Sequence, residues 1–386
     1  MIYFDNNAST KLDPEALSAM EAAFHLFGNP SSLHAEGRRA RRAVEEARDE
    51  VARLVGAEPS EIFFTSGGTE ANAMAIYGAT AGKGGSWVRS GAEHPSVREA
   101  ASDIPVRVVD PDPSGALDAG RVLEAADPDT ALVSVMSASN EYGGIFPVRD
   151  IARGARSRGA LVHSDAVQAA GRIPVDVRSL EVDLLSISAH KLHGPRGAGA
   201  LFIRKGVRIA VRTPGGGQEK KLRGGTENTP ALVGFGVAAR LARERLERDA
   251  RAIEMLRDRL ERGILAGIPG ARSIGSGHPR LPNTSAILFE GALAETLLVR
   301  LDLEGIAVSA GSACSSGTLA PSPAILALGF SRRQARQVLR FSLSRHNTVE
   351  EVDAVLRVLP AAVAAVRENA ETAGAETAVA AGRTAR

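Results

Sequence analysis

Three segments of this 386-residue chain place polar or charged groups where a predicted strand ends. The first reads TSGGTEAN over residues 65–72 and lies between a predicted strand and a predicted helix. Gly67 and Gly68 allow a close approach of the backbone, and the N–H groups at the helix start, with the Thr69 hydroxyl, suit a phosphate. The segment is neither a Walker sequence nor GxGxxG, so a plain tight turn stays open as the alternative.

The second segment reads HSDAVQ over residues 163–168. Side chains two apart on a strand share a face, so His163 and Asp165 are candidate metal ligands, together with His190 and His193. A buried carboxylate can instead pair with the protonated ring nitrogen of a cofactor. The residue types leave both chemistries open, beside a purely structural role in the loop.

The third segment reads SISAHKLHGP over residues 186–195, again a strand that runs into a glycine-proline turn. Lys191 lies 26 residues after Asp165 at the end of an inward strand, where a buried amine would be placed for a Schiff base. A surface lysine beside a turn is the alternative. A phosphate cradle, an acid and a lysine at three strand ends rarely coincide by accident, which favours one shared cofactor site.

Two further residues have informative surroundings. Cys314 is the only cysteine and lies in SAGSACSSG, where small residues on both sides predict a loop that presents the thiol. Burial as a small apolar side chain is the alternative. Arg340 lies in a predicted strand between Leu339 and Phe341, where it needs an anionic partner, either a bidentate carboxylate or an ordinary salt bridge.

The elements that must position these groups begin near Glu61, as short apolar runs that are each followed by a turn signal and a helical pattern. The predicted strands cover residues 62–65, 87–90, 106–109, 131–136, 161–163, 184–188 and 199–203. This alternation predicts an α/β fold with a mostly parallel sheet covered by helices on both faces. Ligands of such sheets bind outside the carboxyl ends of the strands, where the polar segments fall.

Helical spacing of apolar residues predicts the flanking helices and a second unit. The predicted helices cover residues 14–27, 37–54, 230–265, 294–303 and 349–359, and further strands lie near 286–289, 306–309 and 339–343. The expected division is a large domain over 15–255 and a small domain from 1–14 and 256–366. Residues 367–386 are rich in Ala, Thr, Gly and Glu and are predicted to be a tail that is disordered or only nascently helical.

Composition excludes several classes of protein. Apolar residues make up 44% and charged residues 24%, which is typical of soluble globular proteins and not of disordered, collagenous or membrane-embedded chains. The net charge of +2 gives no field that would predict binding to nucleic acid or to a membrane. A single cysteine allows neither an intramolecular disulfide nor a multi-thiolate metal site, and the N-terminus lacks the features of a signal peptide. The cytoplasm is therefore the predicted location.

The order of motifs along the chain resembles a known family. The motifs are YFDNNAST from Tyr3, GNPSSLHAEG, FTSGGTEAN, AEHPSV, SNEYG, HSDAVQ, SAHKLHGPRG, GGGQE, RGGTEN, SAGSACSSG and RFSLSRHNT, which ends at Thr348. In this combination the chain resembles the cysteine desulfurases of the NifS/IscS type, over about nine-tenths of its length. These are fold-type I, pyridoxal-phosphate enzymes of the class V aminotransferase group.

The resemblance implies a fold and an activity. The expected fold is an α/β, fold-type I transferase whose large domain holds a mostly parallel seven-stranded sheet between helices, with a smaller α/β domain. The implied cofactor is pyridoxal 5'-phosphate, and the implied reaction converts L-cysteine to L-alanine while Cys314 receives the sulfur as a persulfide. A homodimer is implied, with delivery of sulfur to an acceptor such as an iron-sulfur scaffold or a thiolation protein.

The resemblance also assigns roles within the cofactor site. Lys191 would be the Schiff-base lysine, Asp165 would hold the pyridinium nitrogen and Gln168 would contact the ring hydroxyl. His94 would stack on the ring and take part in proton transfer. The residues implied to bind the phosphate are Gly68, Thr69, Ser188 and His190, with Thr226 of each subunit reaching the site of the other.

On the substrate side, the resemblance implies that Asn140 and Arg340 hold the substrate carboxylate and that Cys314 accepts sulfur. No resident metal is implied, and a transient contact of Cys314 with an iron-sulfur cluster stays open. Ser9, Ser139 and Arg196 depart from the usual residues of the family without removing a catalytic group. A small-substrate aminotransferase, a selenocysteine lyase and a non-enzymatic sulfur-system scaffold are the competing hypotheses.

Overall fold

The computed structural model describes residues 1–100, 104–311 and 320–384. Its strands are β1 (Ile2–Tyr3), β2 (Ile62–Thr65), β3 (Ser86–Ser90), β4 (Val106–Val109), β5 (Thr130–Ser134), β6 (Leu161–Asp165), β7 (Leu184–Ser188), β8 (Gly199–Ile203), β9 (Ala271–Ile274), β10 (Thr284–Phe289), β11 (Ile306–Ala307), β12 (Ser309–Ala310) and β13 (Val338–Ser342). The alternation predicted from residue 61 onward is therefore present.

The helices lie between and around these strands. They are α1 (Pro14–Ala23), α2 (Ala35–Val55), α3 (Gly68–Thr80), α4 (Pro95–Arg98), α5 (Ala119–Ala125), α6 (Val148–Arg156), α7 (Val177–Leu180), α8 (Thr229–Gly267), α9 (Ala294–Leu303), α10 (Pro323–Ala327), α11 (Arg332–Ala335) and α12 (Val349–Thr384). In these described residues, none of the helices carries an apolar stretch long enough to cross a membrane.

The large sheet has seven strands in the order β2, β8, β7, β6, β5, β3, β4. Strand β8 is antiparallel to both of its neighbours, and the other pairs are parallel. The prediction of a mostly parallel seven-stranded sheet is confirmed. Because Asp165 pairs with Ser186 in parallel register, β6 and β7 deliver their last side chains to the same edge of the sheet.

The strands of the large sheet are nearly continuous runs of apolar residues because helices cover both faces of the sheet. Every residue of β2, β7 and β8 is buried, as expected for strands covered on both faces. Helix α8 packs against α1 and α2 on one side of this body. Its start is capped by the Asn228 side chain, which accepts from the backbone N–H of Ala231, and Pro230 occupies the first turn.

The second unit contains a four-stranded antiparallel sheet in the order β12, β13, β10, β9 and a short parallel pair of β1 with β11. The strand predicted at 306–309 is two short strands, β11 and β12. Strands β1 and β9 were not predicted, since β1 has only two residues and β9 alternates between half-buried and exposed positions. The division of the chain into domains at residues 15, 255 and 366 stays a prediction.

Two helices end where the sequence did not predict. Helix α1 stops at Ala23 and not at residue 27, and Phe24 and Phe27 are exposed by 69% and 82%. The chain turns away because Gly28 lies against the backbone of Glu36, where an added Cβ would stand 2.4 Å from the carbonyl carbon. Helix α12 continues to Thr384 through the stretch predicted to be disordered or only nascently helical. An alanine-rich segment has few large apolar side chains for a core, but alanine has the highest helix propensity, and this favours a helix.

Candidate active site

A cavity of about 280 Å³ lies at the carboxyl edge of the large sheet, between the ends of β6 and β7 and the N-terminal segment. Its lining includes ten of the twelve residues to which the resemblance assigns a role in the site. These ten are Gly68, Thr69, His94, Asn140, Asp165, Gln168, Ser188, His190, Lys191 and Arg340. The structure therefore gathers residues that are spread over 272 positions of the sequence (68 to 340) into one site.

Asp165 is the last residue of β6, and its side chain is buried at the floor of the cavity. One carboxylate oxygen accepts from the Asn72 amide at 2.7 Å, and the other accepts from the backbone N–H of Val167 at 2.9 Å. Both oxygens are thus oriented by fixed donors. Such a carboxylate is held in the place and direction that pairing with a ring nitrogen requires.

Lys191 follows β7 at the end of a short 3-10 turn, Ala189–Lys191. Its Nζ donates to the carbonyl oxygens of Asn7 at 2.5 Å and Ala8 at 2.7 Å. These carbonyls come from the N-terminal segment, more than 180 positions away in sequence. The amine is therefore inside the cavity and is not a surface lysine beside a turn.

His94 begins helix α4, and its Nδ1 accepts the backbone N–H of Ser96 at 3.1 Å. Burial, with Lys191 and Arg98 nearby, holds the His94 pKa below its ordinary value, although Asp165 acts in the opposite direction. The ring is therefore neutral near neutral pH. Since Nδ1 is an acceptor, the proton lies on Nε2.

The part of the cavity formed by the end of β7 and the start of α3 contains hydrogen-bond donors that have no acceptor among the described residues. The Ser188 hydroxyl is buried and has no hydrogen-bond partner among the described residues. Helix α3 begins at Gly68, and Gly68 and Thr69 line the cavity, so the first turn of the helix brings its free backbone N–H groups to the cavity. His190 Nδ1 forms a hydrogen bond with the Ser9 hydroxyl at 3.2 Å. Burial, together with the positive charges of Lys191 and two arginines, lowers the His190 pKa to about 4.

Gln168 lies one turn beyond β6, and both ends of its carboxamide are held. Its Nε2 donates to the carbonyl of Asn7 at 3.0 Å, and its Oε1 accepts from Arg172. Arg172 also reaches the carbonyls of Asn6 at 3.1 Å and Lys191 at 3.3 Å. Gln168 is thereby fixed beside the lysine and the N-terminal segment.

The rim of the cavity is formed by residues of the second unit. Arg340 lies on β13 and donates to Asp5 at 2.7 Å and to the Asn140 carbonyl at 2.9 Å. The salt bridge to Asp5 supplies the anionic partner that the sequence required. Arg340 Nε is buried without a partner among the described residues, so the guanidinium keeps a donor that the salt bridge does not use.

Of the predicted site residues, Thr226 does not line this cavity, and Cys314 lies outside the described residues. Thr226 is exposed in the segment before α8. The metal alternative finds no support, because the described part of the chain has no group of three or more metal-ligating side chains. His163 is buried between the hydroxyls of Ser134 and Ser186, and burial lowers its pKa to about 3.

Sequence reasoning assigned no role to Asn72, Ser96 and Arg172. Asn72 lies one helical turn after Gly68 on α3, and Arg172 lies four residues after Gln168, so helical spacing could have placed each of them beside a predicted site residue. The contribution of Asn7 had no such signal. Its carbonyl acts as a backbone acceptor, and a backbone acceptor leaves no mark in the residue type.

These residues fit pyridoxal 5'-phosphate. The orphaned Ser188 hydroxyl and the exposed first turn of α3 suit the phosphate, Asp165 suits the ring nitrogen, and Lys191 supplies the amine for a Schiff base. A seven-stranded, mostly parallel sheet with this site at its carboxyl edge defines a pyridoxal-phosphate enzyme of fold type I.

Comparisons with known proteins agree with this class. The model of the aminotransferase class-V family matches residues 2–355. The chain is 47% identical to a cysteine desulfurase of Cereibacter sphaeroides, over 95% of this chain and 96% of that protein. A solved "NIFS-like protein" superposes with a TM-score of 0.87 at 37% identity, covering 94% and 99% of the two chains. Another solved structure, "SspA in complex with cysteine", has a TM-score of 0.80 at 32% identity and covers 90% and 100%.

The chain therefore belongs to the aminotransferase class-V family and, within it, to the cysteine desulfurases. Members of this family depend on pyridoxal phosphate. The resemblance inferred from the sequence motifs is confirmed.

Proposed function

We propose that this enzyme removes sulfur from L-cysteine to give L-alanine, with Cys314 as the sulfur acceptor. The observation that carries the proposal is the convergence of Lys191, Asp165 and His94 with the donors of Ser188 and α3 in one cavity. A relative of known structure was solved with cysteine bound, which supports the choice of substrate.

Pyridoxal phosphate, when bound, supplies an electron sink that stabilises negative charge on the substrate Cα. Asp165 would face its ring nitrogen, with Asn72 and Val167 N–H keeping the carboxylate in place. Lys191 would hold the cofactor and then move the Cα proton, since its amine lies in the cavity on two carbonyl acceptors. Gly68, Thr69, Ser188 and His190 would hold the phosphate.

His94 would cover the ring face and share in proton transfer. Its neutral imidazole carries the proton on Nε2, because Nδ1 accepts from Ser96. The Nε2–H of a neutral ring can donate a hydrogen bond, and the ring can act as a general acid only after it has taken up a proton. Gln168 would contact the ring hydroxyl, while its Oε1 accepts from Arg172.

Arg340 and Asn140 would hold the substrate carboxylate at the rim. Arg340 is buried, carries an unpartnered Nε and is held by Asp5 and the Asn140 carbonyl. The thiolate of Cys314 would attack the substrate sulfur, so that a sulfur–sulfur bond forms as the carbon–sulfur bond breaks. The electron pair of the broken bond stays with the three-carbon product, which takes up a proton to become alanine.

The proposal includes a homodimer in which Thr226 of each subunit contacts the phosphate site of the other. Thr226 is exposed and lies outside the cavity of its own chain, as such a role requires. The sulfur would pass from Cys314 to an acceptor protein, either an iron-sulfur scaffold or a thiolation protein.

The test is anaerobic incubation of the purified enzyme with L-cysteine and a reductant, with alanine and sulfide measured together. Equal amounts of both over many turnovers are expected. A Cys314→Ser variant should bind cysteine with a change in cofactor absorbance but release no sulfide, and sustained sulfide release would contradict the acceptor role. Neither product from cofactor-loaded wild type would favour an aminotransferase or a selenocysteine lyase.

A further inference from the structure

Arg172 is a buried cation beside the cofactor cavity with no role in the chemistry described so far. Its residue is only 9% exposed, and in the described part of the chain it makes no ion pair with a carboxylate. All of its hydrogen bonds go to oxygen atoms of amide groups. Burying a cation is costly unless it is well hydrogen-bonded, so this placement needs a reason beyond packing.

The two terminal nitrogens of Arg172 serve different segments. Nη1 donates to the main-chain and side-chain oxygens of Gln168. Nη2 donates to the carbonyls of Asn6 and Lys191. The planar guanidinium thus joins the segment after β6, the N-terminal segment and the backbone of the Schiff-base lysine, which a single ammonium group could not span.

The contacts of Gln168 also fix which way its carboxamide points. Arginine can only donate, so the atom beside Arg172 must be the oxygen; a main-chain carbonyl can only accept, so the atom beside Asn7 must be the nitrogen. The amide nitrogen has two hydrogens and gives one of them to Asn7. The second N–H has no acceptor among the described residues, and Gln168 lines the cavity.

We propose that Arg172 is a positioning residue for the cofactor: it holds the Gln168 oxygen so that the amide N–H faces the ring hydroxyl. Without it only the Asn7 carbonyl opposes a half-turn of the carboxamide, which would present the amide oxygen to the ring hydroxyl and would be repulsive when the hydroxyl oxygen is ionised. The inference rests on the proposed place of Gln168 beside the cofactor. It makes the strength of cofactor binding depend on a side chain that the cofactor does not touch.

The experiment is a double-mutant cycle on the apoenzyme, titrated with pyridoxal phosphate and followed by absorbance and visible circular dichroism. R172M should weaken cofactor binding about tenfold in the wild-type background, the scale of one hydrogen bond to a charged group. In the Q168A background the same change should weaken binding less than about twofold. R172K keeps the charge but has one nitrogen, and it should fall between wild type and R172M.

Equal weakening by R172M in both backgrounds would overturn the proposal, as would no weakening in either. R257M is the control: Arg257 is also buried and donates to a main-chain carbonyl, that of Leu281, away from the cavity, although it also pairs with Glu254 and Asp258. It should lower the melting temperature without changing cofactor affinity. If R172M yields no folded apoenzyme, R172K is compared in the two backgrounds instead. Failure of wild-type apoenzyme to bind pyridoxal phosphate would refute the cofactor site itself, which is a separate outcome.

Discussion

The two sides of the active-site cavity are built in different ways. The cofactor side consists of strand ends: Asp165 closes β6, Ser188 closes β7, and Lys191 follows within three residues. The rim consists of pieces that are distant in sequence, such as Asp5 with Arg340 and Asn7 with the Asn140 carbonyl. One side is set by the register of a single sheet, and the other by the docking of the N-terminal segment on β10 and β13.

This difference predicts how damage to each side should appear. Substitutions on the cofactor side are expected to remove chemistry or cofactor, because the groups there are proposed to contact the reacting atoms. Substitutions at the rim loosen substrate binding, because Asn7 and Arg340 connect separate elements across the cavity mouth. The predictions below test whether effects on cofactor binding and effects on substrate binding separate in this way.

The largest effect is expected for Lys191→Ala on the cofactor side. The variant loses the amine that is proposed to form the cofactor linkage and to move the proton, so kcat/KM should fall by about 10⁴-fold or more. The measurement is the visible absorbance of the purified protein, with borohydride reduction followed by peptide mapping. Lys205→Ala, at an exposed position, is the control and should behave as wild type. A borohydride-fixed chromophore in Lys191→Ala would refute the assignment.

The next effect is expected for Asp165→Asn. The amide removes the negative charge that would face the ring nitrogen, and its NH2 group, which only donates, replaces one of the two oxygens that accept from Asn72 and from Val167. We expect kcat/KM to fall by about 10²- to 10³-fold, the scale for loss of one electrostatic group in an active site. The control is Asp183→Asn, since Asp183 is also buried and also accepts a main-chain N–H, that of Val162, but lies outside the cavity. Equal losses in the two variants would show a structural effect only.

A smaller effect is expected at the rim, for Arg340→Lys. The lysine keeps the charge but loses the fork that reaches Asp5 and the Asn140 carbonyl together. We expect kcat/KM to fall by about 10- to 50-fold, mainly through KM, with pyridoxal phosphate affinity unchanged. Steady-state kinetics and cofactor titration measure the two quantities separately. Loss of cofactor affinity in this variant would break the distinction between the two sides.

The same contrast explains what the sequence could predict. Strands β2, β4, β7 and β8 were predicted with their observed bounds, and the polar segments that follow the parallel strands β2 and β7 therefore fell at the correct edge of the sheet. Local pattern was sufficient there, because apolar runs define the strands and parallel pairing aligns their ends.

The rim, and the long-range contacts that hold groups on the cofactor side, could not be predicted in the same way. The sequence required an anionic partner for Arg340, but the identity of that partner, Asp5, depends on a pairing across 335 positions. The carbonyls of Asn7 and Ala8 that hold Lys191 carry no signal in residue type. Arg172 was passed over because an arginine is by default a surface residue. Such contacts are set by how separate elements dock.

The smallest effect concerns stability on the cofactor side and involves Glu93, the buried neighbour of His94. The Glu93 pKa is raised to about 8, mainly by burial and also by the nearby charge of Asp165. The hydrogen bonds that Glu93 accepts from Ser90 and the Met136 N–H act in the opposite direction. The folded protein therefore binds a proton here that the unfolded chain, with a carboxyl pKa near 4.5, does not. The stability that this proton contributes is complete below pH 4.5 and is lost as the pH rises towards 8.

Glu93→Gln tests this directly, because a carboxamide stays neutral at every pH. The free energy of unfolding of wild type should fall relative to the variant by about 1 kcal/mol per pH unit between pH 5 and 8. Urea unfolding at several pH values measures both slopes, and taking their difference removes the contribution of every other titrating group. Parallel slopes would mean that Glu93 is ionised in the folded protein. Glu93 and Asp165 would then be two buried negative charges near each other, and the charge proposed to face the ring nitrogen would not come from Asp165 alone.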